Sequence, residues 1–235
     1  MKKSKVSKLK KVPCWSDPDL PPAKEDFRKT FSWRIFRIMA EFVDGFQFIA
    51  DFRKAVGIFG STRASSKDHY YQEARKLAKL LAKEKFVIIT GGGPGIMEAA
   101  NQGAFEAGGE SVGINIQLPE GQRMNKYVKS PIGFHYFFTR KVMFSFACQV
   151  YVFFPGGFGT LDEFFEMITL VQTKKLLKPV LVIAVGKEYW SPLFDWLEKE
   201  VYQKRSAVNK KDLSIFQLAD SAEEAFKMIQ KYGHN

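Results

Sequence analysis

Gln149-Val150-Tyr151-Val152-Phe153-Phe154-Pro155-Gly156-Gly157-Phe158-Gly159-Thr160-Leu161-Asp162-Glu163 joins an apolar run to a glycine turn and then to an amphipathic stretch. A strand with almost no polar alternation is one buried on both faces. The turn leads into a helix predicted over residues 160–173. The same unit recurs upstream: a predicted strand at 86–90, the turn Gly91-Gly92-Gly93-Pro94-Gly95, and a helix at 96–107. Further strands are predicted at 55–59, 111–116, 179–184 and 214–218, and further helices at 68–84, 137–147, 190–202 and 222–231. Residues 117–131 read as a long loop. Strands alternating with helices specify an α/β, doubly wound parallel sheet, covered on both faces, in one domain. In such folds ligands lie beyond the carboxyl ends of the strands, where both glycine turns fall.

Working outward, Phe27, Phe31, Ile35, Ile38, Phe42, Phe46 and Ile49 recur every three or four positions and mark one stripe of an amphipathic helix. The stripe either pads the domain or packs against another subunit. The predicted organisation is a basic tail and linker at 1–24, an N-terminal helical extension at 25–53, and the nucleotide-site domain at 54–235. With 23 phenylalanines, much of the core should be aromatic.

Lysines and arginines (36) outnumber acids (25), giving a net charge of +11, and six of the first eleven residues are lysine. That stretch reads as a solvated tail, since it lacks interleaved aromatics before Trp15 and any binding module. Nucleic acid is therefore not an expected partner, although a positive field favours anionic substrates. The longest apolar run, residues 142–154, is too short to span a bilayer, for which roughly 20 residues are needed. No membrane role is expected, and with no signal-peptide pattern the chain reads as cytoplasmic. Cys14 and Cys148 form no disulfide framework or metal cluster, and Cys148 reads as a packed thiol.

The turns explain themselves as anion sites. Free backbone N–H groups and the positive end of a helix dipole meet there, and glycine lets the backbone approach. Gly156, Gly157, Gly159 and the Thr160 hydroxyl offer this at one turn; Gly92 and Gly93 offer the backbone part at the other. A purely structural account also exists, because Thr160 and Glu163 have the spacing of a capping box. Neither turn matches G-x-G-x-x-G or a P-loop, so hydride transfer with NAD and P-loop ATP hydrolysis are poorly supported. Arg140 and Lys141 are the only permanently charged residues between Pro131 and Pro155. A guanidinium in such surroundings needs a fixed anion: Glu163, a substrate phosphate, or each in turn. His135, alone among aromatics, reads as a packed residue rather than a catalyst.

Pro155-Gly156-Gly157-Phe158-Gly159-Thr160-Leu161-Asp162-Glu163 resembles the P-G-G-x-G-T-x-x-E signature of the "Lonely guy" (LOG) family, cytokinin riboside 5′-monophosphate phosphoribohydrolases formerly labelled lysine decarboxylases. Thr90-Gly91-Gly92-Gly93-Pro94-Gly95-Ile96-Met97-Glu98-Ala99-Ala100-Asn101 is similar to the glycine motif of its bacterial branch, and Arg140-Lys141 to its Arg-Lys pair. The resemblance runs from about Lys54 to the C-terminus. It implies a Rossmann-like, commonly dimeric enzyme that cleaves the N-glycosidic bond of a nucleoside 5′-monophosphate (AMP or an N6-substituted AMP) to free base and ribose 5-phosphate. It implies Arg140 and Glu163 as the catalytic pair. Lys141, Gly157, Phe158, Gly159, Thr160, Thr169 and, from the long loop, Gln122 would contact substrate. No cofactor or metal is expected, and a homodimer or higher homo-oligomer is. The alternatives are a non-catalytic carrier of a phosphorylated ligand, similar to molybdenum-cofactor carrier proteins, and a DNA-binding protein. Decarboxylation of lysine would need pyridoxal phosphate on a lysine Schiff base; Lys141 is the one lysine near the motifs.

Overall fold

The computed structural model describes residues 26–117, 124–176 and 178–233. The chain divides into two compact units, one ending at Arg37 and the other beginning at Ile38. In the first, the Asp26 carboxylate caps a 3-10 turn, Phe27–Lys29, and the rings of Phe27 and Trp33 meet edge-on at 5.0 Å. Helix α1 spans Phe31–Ile49. The expected tail at residues 1–24 lies outside the described residues.

The second unit is a seven-stranded, all-parallel sheet in the order β4-β3-β2-β1-β5-β6-β7. Its strands are β1 (Ala55–Phe59), β2 (Val87–Thr90), β3 (Ser111–Ile116), β4 (Ser130–Phe134), β5 (Val150–Phe153), β6 (Leu181–Val185) and β7 (Phe216–Ala219). Helices α2 (His69–Lys83), α3 (Ile96–Glu106), α4 (Phe137–Ala147), α5 (Phe158–Gln172), α6 (Lys187–Trp196) and α7 (Ala222–Gly233) connect and follow them. This is the doubly covered parallel α/β sheet that the alternating pattern specifies, of the Rossmann-like type that the resemblance implies. The chain builds outward from β1 through β2 and β3 to β4, then returns to place β5 against the other side of β1. The order reverses there, and a crevice opens at the carboxyl ends of β1 and β5.

The two faces of the sheet are packed differently. One is largely aliphatic, with Leu77, Leu81, Ile96 and Ala225 over Val56, Ile58 and Val152. The other gathers Phe59, Phe134, Phe144, Phe153, Phe164 and Trp190 under α4, α5 and α6. The aromatic core is thus real but one-sided, and it underlies the helices that carry Arg140 and Glu163. Cys148 is buried on this face, and burial pushes its thiol well above the usual range.

Four local readings change. Strand β4 occupies the end of the expected 117–131 loop: Pro131 and Gly133 obscure it in sequence, but an edge strand tolerates a proline because one side of its ladder is unpaired. Helix α5 starts at Phe158 with Gly157 as N-cap, so Thr160 is inside the first turn and no capping box with Glu163 forms. The helix expected over 190–202 begins at Lys187 and continues after Trp196 as a π-helical stretch, Leu197–Gln203. His135 is exposed rather than packed, its ring edge-on to Tyr136 at 4.9 Å. Among the described residues no helix is long and apolar enough to cross a membrane.

Candidate functional site

Three loops meet over the crevice, and Ser61 holds them together. Its N–H donates to Pro155 O (3.0 Å), and its carbonyl accepts the N–H of Ile96 (2.9 Å), the first residue of α3. The loop after β1 is therefore bonded to both glycine turns. Between them lies a cleft of about 1010 Å³, walled by residues 60–64, by Gly91, Ile96 and Met97, and by residues 155–160. Its charged side chains are Arg63, Asp68, Arg140, Asp162 and Glu163.

The residues singled out in sequence separate into two groups. Arg140, Glu163, Gly156, Gly157, Phe158, Gly159 and Thr160 all line this cleft. Phe158 is 92% exposed at its mouth, and Thr160 is buried beneath it. Gly92 and Gly93 are buried behind the wall: the Gly92 N–H donates to Thr90 Oγ1 (2.9 Å), and both carbonyls accept from the Asn125 side chain. Thr169 lies further along α5, with its hydroxyl turned back onto Phe165 O at 2.8 Å. Lys141 does not line the cleft; it binds Asp162 at 2.7 Å and Glu166 at 3.2 Å. Gln122 lies outside the described residues.

Arg140 sits in the opening turns of α4, where the aromatic core and the end of β3 meet. Its Nε donates to Ile114 O at 2.8 Å, and its guanidinium lies 5.2 Å from the centre of the Phe144 ring. Burial pulls its pKa below the ordinary value while the charge of Glu163 opposes the shift. Among the described residues no carboxylate comes within ion-pair distance of it. The two groups sense each other without closing on one another.

Glu163 is only 8% exposed. Burial is the main cause that lifts its carboxyl from 4.5 to about 7; Lys141 and Arg140 oppose the rise, whereas the charge of Glu166 and a hydrogen bond with it add to it. That hydrogen bond requires a proton on one of the two acids. A capping-box carboxylate would instead accept the N-cap N–H, a bond that favours its ionised form. For Lys141, burial acts downward, but the bond to Asp162 and the charges of Glu163 and Glu166 outweigh it and hold the ammonium above its usual value.

Several wall residues had no signal in the sequence reading. Ser61, Thr62, Arg63, Asp68 and Tyr70 follow β1, and the order reversal beside β1 is what brings them to the crevice. Tyr189 on α6 donates its hydroxyl to Gly156 O at 2.6 Å and steadies the second turn from outside. Among the described residues Arg63 has no ion-pair partner, and it lines the same cleft as the α5 N-terminus. Such an arrangement can hold an anion at the turn and present a proton-exchanging carboxyl further along the helix. Among the described residues no group of His, Cys, Asp and Glu has the arrangement of a metal site.

Residues 97–229 match the family model described as "Possible lysine decarboxylase". The chain is similar to the cytokinin riboside 5′-monophosphate phosphoribohydrolase LOG1 of Arabidopsis thaliana, with 27% identity over 185 residues, covering 76% of this chain and 84% of that protein. It is also similar to the cytokinin riboside 5′-monophosphate phosphoribohydrolase of Rhodococcoides fascians, with 26% identity, covering 62% of this chain and 74% of that protein. In fold it is similar to the molybdenum cofactor binding protein of Rippkaea orientalis, with TM-score 0.54 and 24% identity, covering 77% of this chain and 99% of that one. The molybdenum cofactor carrier protein of Chlamydomonas reinhardtii gives TM-score 0.54 and 19% identity, covering 78% and 99%. The family match spans more than half of the chain, and with it the whole second glycine turn and both members of the Arg140–Glu163 pair: this protein belongs to the LOG family, whose model carries the older decarboxylase description.

Proposed function

We propose that this protein hydrolyses the N-glycosidic bond of a nucleoside 5′-monophosphate, AMP or an N6-substituted AMP, releasing the free base and ribose 5-phosphate. The observation that carries the reading is Glu163: a buried carboxyl with a pKa of about 7, one turn along the helix whose open glycine N-terminus faces the same cleft. The phosphate sits on the N–H groups of Gly157, Phe158 and Gly159, where the α5 dipole favours it, with Arg63 as its counter-charge. The ribose then extends towards Glu163 and Arg140.

The C1′–N bond breaks with its electron pair leaving on the base, through an oxocarbenium-like state. Water attacks C1′, ionised Glu163 takes its proton, and that proton passes to the departing ring nitrogen, so that the base leaves neutral and the carboxylate is regenerated. A carboxyl near pH 7 suits that exchange better than an ordinary one, because its protonation state turns over at working pH. Arg140 faces the same space and holds negative charge that develops there. No cofactor is required by this sequence of events, and among the described residues no lysine lines the cleft to form a Schiff base.

The test is to incubate the purified protein with AMP and with N6-substituted AMP and to quantify free base and ribose 5-phosphate. Release should fall by at least about 10³ in Glu163→Gln, in line with removal of a central catalytic group. Undiminished release in that variant removes the carboxylate from the mechanism. Tight nucleotide retention without turnover in the parent protein would turn the reading towards a carrier.

A further inference from the structure

Helix α4 carries Arg140 but cannot cap itself. Its N-cap, Tyr136, gives the helix no side-chain capping bond, and its first turn holds no acid. Arg140 and Lys141 instead follow directly on that turn, at the electropositive end of the helix, where cations are least favoured. The missing anion comes from α1. Glu41 accepts the N–H of His135 on Oε1 at 2.8 Å and the N–H of Tyr136 on Oε2 at 3.3 Å, and its Oε2 lies 2.6 Å from the Thr139 hydroxyl, which shares its one proton between Glu41 and Tyr136 O at 2.7 Å. One carboxylate thus holds the N–H of the N-cap and of the residue before it and faces the hydroxyl at N3; holding the N-cap N–H is the task that an acid at N3 performs in a capping box.

The carboxylate arrives on a firm support. One turn after Glu41, Gly45 lies so close to α4 that an added Cβ would collide with the Met143 side chain. Phe46 then meets Phe146 edge-on at 5.2 Å, and Ile49 is buried in the aromatic core. From the capped turn the chain leads directly to the guanidinium: the Arg140 N–H bonds Tyr136 O at 3.3 Å, and its Nε reaches Ile114 O.

We propose that Glu41, which lies outside the family-matched segment, is a positioning residue that sets the Arg140 guanidinium by capping α4 from another helix. The inference rests on the proposed role of Arg140 and is tested so that the two can fail separately. Glu41→Gln keeps the shape of the side chain but replaces one acceptor with a donor that faces donors. Release of base from AMP is measured for the parent, Glu41→Gln, Arg140→Lys and the double variant, alongside amide hydrogen exchange over residues 135–140. Expected are a roughly tenfold fall in kcat with KM within twofold, little further loss when Glu41→Gln is added to Arg140→Lys, and at least tenfold faster exchange at His135 and Tyr136. Thr139→Val, which removes one of the three bonds, should shift the same quantities less and serves if Glu41→Gln does not fold. Unchanged kcat, or an equal loss in the Arg140→Lys background, overturns the proposal. If the parent hydrolyses no nucleotide, the proposed function fails, and the exchange rates alone decide whether Glu41 caps α4.

Discussion

A methyl group added at Gly91 would collide with Arg140 Nη2, and one at Gly95 with the Ser61 carbonyl; at Gly157 or Gly159 it would meet no described atom within 4 Å. The two glycine turns look alike in sequence and end strands of the same sheet; the first is filled by protein, while the second is filled only at Gly156, where a Cβ would meet Thr160, and is open at 157 and 159. In the first, glycine is demanded from within, because Arg140 and the β1 loop pass where a side chain would stand. Gly95 also has φ of +71°, which other residues rarely adopt. In the second, nothing in the chain itself requires glycine at 157 or 159, and the space in front of them is the cleft.

The contrast gives its largest expected effect at the filled turn. Gly95→Ala should destabilise the protein by about 3 kcal/mol or more, from backbone strain together with a backbone collision. Thermal unfolding would then drop by roughly 6–12 °C, and an unchanged Tm would show that the turn can yield. Gly159→Ala should do the reverse. Inside α5, alanine replaces glycine with a gain of about 0.5–1 kcal/mol, so Tm holds or rises while affinity for AMP falls about tenfold. Loss of stability without loss of affinity would make the open turn just another packed one.

A third expectation concerns what the open turn serves. With Glu163 near 7, the ionised fraction rises about tenfold between pH 6 and 8, and the AMP cleavage rate should rise with it; a flat profile across that window rules out the carboxylate as base. Stability runs the other way. The folded carboxyl holds its proton above the ordinary 4.5, so its stabilising contribution is full below that value and is lost as pH rises through about 7. Relative to Glu163→Gln, the parent should therefore lose up to about 3 kcal/mol between pH 5 and 8, readable as diverging Tm values. The smallest effect belongs to Lys141→Met, which removes a mostly satisfied ion pair. It should cost about 1 kcal/mol or less and shift the acid limb of the rate profile upward, since Lys141 is the chief group holding Glu163 down. A downward shift would contradict that electrostatic arrangement.

Sequence periodicity by itself determined a parallel α/β sheet covered on both faces and nearly every strand and helix. Fully apolar four- to six-residue runs and three-to-four-residue stripes have few other solutions once they alternate. The Arg140–Glu163 pair was also legible, one as a charge isolated in an aromatic stretch and the other as an acid one turn beyond a glycine turn. Strand β4 was hidden because proline and glycine are read locally, whereas an edge position is a property of the whole sheet. Only the tertiary structure decided which glycine turn is open, since that depends on Asn125, Met97 and Arg140 arriving from elsewhere. It also decided that Glu163 is buried rather than capping its own helix, that Lys141 is held by Asp162 and Glu166, and that Glu41 reaches the start of α4 from nearly a hundred residues away. Each of these is a matter of which side chains meet across the chain. Local sequence fixes the elements, while burial and the approach of distant charges fix what their side chains can do.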